Sequence, residues 1–66
     1  MNQIELKNLL LEKCTNMDEI NSIISQLGHN PEDFTNGGLR QRALAFVKQI
    51  GYDHRLNELE QILLNN

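Results

Sequence analysis

The stretch "NGGLRQRALAFVKQIG", residues 36–51, decides the fold. At about 100° per residue, its apolar side chains fall on one face, which predicts a helix over residues 39–50. That face consists of Leu39, Ala43, Phe46, Val47 and Ile50. Asn36-Gly37 is typical of a hairpin, but no alternating apolar run flanks it, so we expect a loop between helices. The helix is expected to end at Gly51 or slightly later, toward His54.

The charged residues of this helix form a ridge on its outer side. Arg40, Leu44 and Lys48 lie four residues apart, so they share one line along the helix with an apolar residue in its middle. Arg42 lies on the other flank of the apolar face. A phosphate-binding loop would need Lys-Ser/Thr after the glycines, and "GGLRQR" lacks it. The stretch therefore predicts a turn leading into a helix.

A first helix is expected over residues 3–14, with apolar side chains on two faces. Its main apolar face consists of Leu6, Leu9, Leu10 and Cys14. Ile4 and Leu11 fall on the opposite side, seven residues apart. Because a small bundle has a single core, we expect these two side chains to remain available for another contact.

The remaining segments predict three more helices, one of them short. The stripe of the second helix consists of Met17, Ile20, Ile23, Ile24 and Leu27. Asn16 can cap its start and Gly28 can end it. Pro31 can begin one or two helical turns with Phe34 pointing inward, and residues 54–64 form the last helix. The fold class is therefore all-α, a compact bundle of about five helices.

Length and composition restrict the class of protein. Sixty-six residues allow one domain. Cys14 is the single cysteine, so no internal disulfide can form, and this indicates a reducing, intracellular setting. The longest apolar run, residues 9–11, is far shorter than a membrane span. We expect a cytoplasmic protein.

The net charge of −3 is unevenly distributed. Residues 1–35 carry six acidic residues against two lysines, whereas residues 36–66 carry four basic residues against three acidic ones. An acidic chain is a poor binder of polyanions, which disfavours the alternative of a helix-turn-helix regulator that binds nucleic acid. Opposed halves would let the acidic side of one copy meet the basic side of another, although charges that are simply solvated remain the other interpretation.

Residue types that support catalysis are present but scattered. Cys14, His29 and His54 lack the spacing of a metal site, and Cys14 falls on a core face, where cysteine behaves as a small hydrophobe. The paired acids at 18–19 and 32–33 lie in first helical turns, where capping explains them. We therefore expect no enzyme activity, no cofactor and no bound metal.

An ordered series of short motifs resembles a known family. The series is Leu27-Gly28, Asp33-Phe34, Gly37-Gly38, Arg42-Ala43, Phe46-Val47 and Arg55-Leu56-Asn57-Glu58-Leu59. It is similar to that of the effector-associated domains of bacterial conflict systems, which are small helical modules with a death-like fold. Two positions depart from the family pattern. His54 stands where a glycine commonly precedes Arg-Leu, and Leu39 stands where a basic residue often follows the loop glycine.

The resemblance implies a non-enzymatic adaptor. Residues 1–66 would form one effector-associated domain, the N-terminal module of a longer protein. Such domains look like connectors that bring an effector (a protease, a nuclease or a TIR-type enzyme) to a sensor in anti-phage defence. The expected partner is a protein with a like or related helical domain, including a second copy. Nucleic acid and membrane are not expected partners.

These observations lead to one interface hypothesis. The ridge, extended by two apolar residues of the first helix, would dock on an acidic surface of another module. The ridge side consists of Ile4, Leu11, Arg40, Leu44 and Lys48, and the acidic side of Asp18, Glu19, Glu32 and Asp33. The alternative is that Ile4 and Leu11 meet a terminal residue such as Leu64.

Overall fold

Helices account for all the regular secondary structure in the part of the chain that the computed structural model describes, residues 1–34 and 37–65. The elements are α1 (Gln3–Lys13), α2 (Met17–Gln26), a 3₁₀ helix (Pro31–Phe34), α3 (Leu39–Tyr52) and α4 (Leu56–Leu64). No strand occurs within these two ranges, which confirms the all-α prediction. Where about five helices were expected, these ranges contain four α-helices and one short 3₁₀ helix. Asn36, which was expected in the loop, lies outside the described residues.

The first two helices begin at asparagine caps. The Asn2 side chain accepts a hydrogen bond from the Glu5 backbone N–H at 2.8 Å, and the Glu5 carboxylate accepts one from the Asn2 N–H at 3.1 Å. This reciprocal pair is a capping box. Asn16 Oδ1 accepts from the Glu19 N–H at 2.9 Å, which confirms the predicted cap of α2. Local sequence therefore sets where both helices start.

Gly28 ends α2, as predicted. Its φ of 82° lies in the left-handed region, which glycine occupies without the steric cost of a Cβ atom. The backbone N–H of His29 donates to the Ile24 carbonyl at 3.1 Å, and that of Gly28 donates to the Ser25 carbonyl at 3.0 Å. This pair of bonds is a Schellman motif, which satisfies the last carbonyl groups of the helix.

The same motif ends α3, but around a histidine. His54 has a φ of 58°, the Arg55 N–H donates to the Ile50 carbonyl at 3.0 Å, and the His54 N–H donates to the Gly51 carbonyl at 3.2 Å. Gly51 therefore lies inside the helix, and the alternative that it ends α3 is wrong. The physical reason is that the chain leaves the helix at His54, where the left-handed residue closes the motif.

The core is a single cluster of buried apolar side chains to which every helix contributes. α1 packs against both α3 and α4, α2 packs against α3, and the 3₁₀ helix contacts α2 and α3. No polar side chain is buried within the described residues. The radius of gyration is 10.2 Å. A compact chain of this length is expected near 11 Å, so the packing is tight. The buried residues are Leu6, Leu10, Cys14, Ile20, Ile23, Ile24, Leu27, Phe34, Ala43, Phe46, Val47, Ile50, Leu59 and Leu63.

The two apolar residues on the outer face of α1 have different environments. Leu11 is half-buried and packs against the core. Ile4 is 68% exposed, and Leu64 is 55% exposed. The expectation that the core leaves both Ile4 and Leu11 unused is therefore wrong for Leu11, because α1 packs against two other helices. Ile4 and Leu64 each keep more than half of their surface exposed, and the alternative, in which Ile4 meets a terminal residue such as Leu64, stays a prediction.

A polar cluster connects the end of α2 to the corner between α3 and α4. The His29 ring Nε2 lies 2.8 Å from Asp53 Oδ2, and Gln49 donates to Asp53 Oδ1 at 3.1 Å. Arg55 donates to the Leu27 carbonyl at 2.7 Å. The hydrogen bond from His29 holds the pKa of the Asp53 carboxyl below its ordinary value of 3.8. These bonds hold the corner against α2.

Candidate protein interface

The outward row of α3 carries alternating basic and apolar side chains. Arg40, Leu44 and Lys48 are all exposed, as the ridge hypothesis requires, and Leu44 exposes 44% of its surface. Tyr52 continues the row one turn further and is 81% exposed. Successive members are about 6 Å apart along the helix axis, because each residue advances it by about 1.5 Å. We refer to Arg40, Leu44, Lys48 and Tyr52 as the α3 ridge.

Sequence reasoning missed Tyr52 as a member of the ridge. The four-residue spacing from Arg40 indicates it, but the sequence leaves the end of the helix between Gly51 and His54. α3 runs to Tyr52, two residues past residue 50, and this places Tyr52 in the same row as Lys48. The ridge is therefore one turn longer than predicted and ends in an aromatic side chain, a residue type that is enriched in binding hot spots.

The start of α1 borders the C-terminal half of the ridge. Gln3, Lys48, Gly51 and Tyr52 line a shallow cleft of about 230 Å³. The Gln3 side chain lies over Gly51, in the space that a Cβ atom at Gly51 would occupy. Ile4 follows Gln3 directly and is exposed. Of the two α1 residues in the interface hypothesis, Ile4 is thus available to a partner, whereas Leu11 is largely committed to the core.

The four acidic residues of the hypothesis are exposed but lie on two different elements. Asp18 and Glu19 occupy the first turn of α2, and Glu32 and Asp33 lie in the 3₁₀ helix. The Glu19 carboxylate accepts hydrogen bonds from the Thr15 hydroxyl at 2.8 Å and from the Thr15 N–H at 3.3 Å. Glu19 therefore also holds the turn between α1 and α2, in agreement with the predicted structural role of first-turn acids.

A surface hollow of about 580 Å³ lies between the end of α1 and the outer side of α2. Its lining consists of Lys13, Cys14, Asn16, Asp18, Glu19, Ser22, Ile23 and Gln26. Cys14 and Ile23 are only 3% and 4% exposed, so they form the apolar floor, and the polar residues form the rim. We refer to this depression as the α2 hollow. It adds concave surface beside one of the two acidic pairs, which the sequence did not indicate.

The residues considered as metal ligands or nucleophiles lie in three separate environments. Burial raises the pKa of the Cys14 thiol, with a further contribution from Glu19, which disfavours the reactive thiolate. His29 is bonded to Asp53, and His54 is exposed at the end of α3. Within residues 1–34 and 37–65, no three histidine, cysteine or acidic side chains are grouped as they would be around a metal ion.

No protein-family model, no curated protein sequence and no solved structure matches this chain. No helix in the described part of the chain has both the length and the apolar composition needed to cross a membrane. The residues themselves define the candidate site: a convex ridge with basic and apolar side chains on α3, and a concave hollow with an acidic rim beside α2.

Proposed function

We propose that this protein is a non-enzymatic adaptor that binds like or related helical domains through the α3 ridge. The single observation that carries the proposal is the ridge itself, which exposes Leu44 and Tyr52 on the same line as Arg40 and Lys48. The core is built from the inward face of α3, and these four exposed side chains lie outside the buried cluster. They are available to a partner.

The composition of the ridge suits protein association. Exposed aromatic and aliphatic side chains supply the buried area, and arginine and tyrosine are frequent among the residues whose removal weakens binding most. Flanking charges steer the approach and fix the orientation of the partner. An acidic surface is the matching partner, and the chain itself exposes Asp18 and Glu19 on α2 and Glu32 and Asp33 on the 3₁₀ helix. Association between copies of the same domain follows from this complementarity.

The resemblance to effector-associated domains supplies the biological setting. In this proposal the domain has a death-like fold and recruits a protease, a nuclease or a TIR-type effector in bacterial anti-phage defence. The environment of His54 supports the resemblance. His54 departs from the family's common glycine, and it lies at the left-handed position where a glycine would relieve the backbone. The departure therefore keeps the backbone conformation that the family pattern favours.

Charge reversal on the ridge tests the proposal. The double variant Arg40→Glu/Lys48→Glu should lose self-association, and it should also lose binding to related domains, measured by sedimentation velocity over a range of protein concentrations. Its far-UV circular dichroism should match that of the wild type, because both side chains are exposed. Self-association at wild-type strength in this variant would overturn the proposal.

A charge-matched pair of variants separates the ridge from net charge. Arg40→Gln/Lys48→Gln removes two positive charges, and Asn57→Glu/Gln61→Glu on α4 makes the net charge more negative by the same amount at exposed positions. The first variant should associate more weakly, and the second should behave as the wild type. A gel-shift experiment with random duplex DNA at low salt tests the helix-turn-helix alternative, and we expect no shift of the DNA band.

A further inference from the structure

We propose that the α3 ridge of one copy docks into the α2 hollow of a second copy, so that Asp18 and Glu19 are its acidic partners rather than Glu32 and Asp33. This inference rests on the proposed function and specifies the acceptor surface that it requires. Of the four acidic residues in the interface hypothesis, two contact the ridge of the second copy and two do not. The inference also identifies the partner as a second copy of this chain.

The shapes of the two surfaces are complementary. The ridge is convex, and Leu44 lies between its two basic side chains, Arg40 and Lys48. The hollow is concave, and its floor consists of the apolar side chains of Cys14 and Ile23. Leu44 entering the hollow would add apolar contact at the centre of the interface, where truncations cost most. The basic side chains on either side of Leu44 would then lie over the rim.

The spacing of the two surfaces also agrees. Asp18, Ser22 and Gln26 lie four residues apart on the outer side of α2, as Arg40, Leu44 and Lys48 do on α3. Both rows therefore extend about 12 Å along their helices. The middle residue of the acceptor row is a serine, whose small side chain leaves room for a leucine.

The charges around the hollow favour a basic partner. Asp18 and Glu19 contribute two carboxylates to the rim, against the single ammonium group of Lys13. Both carboxylates lie at one end of the acceptor row, so one cation of the ridge faces them while the other reaches the amide of Gln26. This asymmetry gives the contact a preferred direction.

The second acidic pair lacks these features. Glu32 and Asp33 lie in a four-residue 3₁₀ helix, which is too short to present a row of the length of the ridge. Neither of them lines the hollow. Asn30 Oδ1 accepts a hydrogen bond from the Glu32 backbone N–H at 3.0 Å, which caps the start of this short turn.

The ridge and the hollow are different surfaces, so a single ridge-to-hollow contact is heterologous. Two copies joined by one such contact leave one ridge and one hollow free. Further copies can add at both ends until a ring closes or a filament forms. Assemblies larger than a dimer should therefore appear as the protein concentration rises.

Three double variants test the assignment through self-association. Asp18→Lys/Glu19→Lys should lose self-association, whereas Glu32→Lys/Asp33→Lys should retain it at wild-type strength. A mixture of Asp18→Lys/Glu19→Lys with Arg40→Glu/Lys48→Glu should associate, because the intact ridge of the first variant meets the intact hollow of the second. The inference would be overturned by loss of association in the variant at residues 32 and 33 together with its retention in the variant at residues 18 and 19.

Replacing Glu19 also removes its hydrogen bonds to Thr15, so a second pair of variants is needed that leaves the start of α2 unchanged. Ser22→Trp fills the middle of the hollow and should weaken self-association about tenfold or more, as blocking a central contact does. Ser25→Trp on the same helix is the matched control, since Ser25 is exposed and does not line the hollow. Equal association of the two variants would overturn the inference. Wild-type association in Arg40→Glu/Lys48→Glu would instead overturn the proposed function, so the two failures are distinguishable.

Discussion

Replacing His54 with glycine should stabilise the fold. His54 is exposed and occupies the left-handed region with a φ of 58°, at the residue that closes the Schellman motif of α3. Residues with a Cβ atom adopt this conformation at a cost of about 1–2 kcal/mol, which glycine avoids. The substitution His54→Gly therefore removes a steric cost from the folded state without disturbing the core.

The expected gain follows from two opposing contributions. Glycine avoids the steric cost but loses more backbone entropy on folding, by roughly 0.5–1 kcal/mol relative to alanine. The net gain in the free energy of unfolding is therefore about 0.5–1 kcal/mol. In a domain of this size, such a gain raises Tm by about 4–7 °C. Urea unfolding followed by circular dichroism should show a higher midpoint with an unchanged slope.

Two control variants isolate the backbone term. His54→Ala removes the imidazole but keeps the strained conformation, so it should not raise Tm. Gly28→Ala introduces the same strain at the matching position of α2, where no atom lies within 4 Å of an added Cβ. It should lower the free energy of unfolding by about 1 kcal/mol, through backbone conformation alone. If His54→Gly left the unfolding midpoint unchanged while Gly28→Ala lowered it, backbone strain at His54 would not limit the stability of the fold.

Two further predictions concern the end of α3. Gly51→Ala should raise the free energy of unfolding by about 0.5–1 kcal/mol, because glycine is a poor helix former and the overlying Gln3 side chain can move aside. Thermal melts measure the effect. A lower Tm than that of the wild type would show that the contact with Gln3 outweighs helix propensity. The hydrogen bond from His29 lowers the folded-state pKa of Asp53 below its unfolded value. The ionised Asp53 carboxylate therefore stabilises the fold fully above about pH 4, and this stabilisation is lost as the pH falls through the folded-state pKa. The stability of Asp53→Asn should therefore vary less than that of the wild type between pH 2.5 and 5, and identical pH profiles would contradict this assignment.

Local signals in the sequence were sufficient for most of the fold. The stripe of α2 is buried as predicted, with Ile20, Ile23 and Ile24 in the core. Asn16 and Gly28 act at its two ends because caps depend on a few neighbouring residues. Phe34 points inward, where it packs edge to face against Phe46 with ring centroids 5.6 Å apart. Features determined within one or two helical turns were thus predictable.

Features that depend on contacts between residues far apart in the sequence were not predictable from local patterns. The bond between His29 and Asp53 joins residues 24 positions apart, and no local pattern indicates it. Leu11 is half-buried against the core cluster, a consequence of tertiary arrangement rather than of periodicity. His54 ends α3 although residues other than glycine are uncommon in the left-handed region, so reasoning from glycine pointed to Gly51 instead.

The candidate site also has one part that local sequence predicted and one part that it did not. The ridge was predicted because it follows from spacing along one helix, and Arg40, Leu44 and Lys48 are exposed as expected. The α2 hollow was not predicted, because its floor includes Cys14 from the end of α1 and Ile23 from α2. A concave surface that two helices build together requires the packed structure.

The exposed ring of Tyr52 makes the chain its own optical probe. It is the only tyrosine in the sequence, which has no tryptophan, so nearly all the intrinsic fluorescence comes from this one phenol. The ring stands at the end of the ridge, outside the core, and a docking partner would change its solvation and quench or enhance its signal. Titrations of unlabelled wild-type protein can therefore be followed by fluorescence, without attaching a dye to the surface under study.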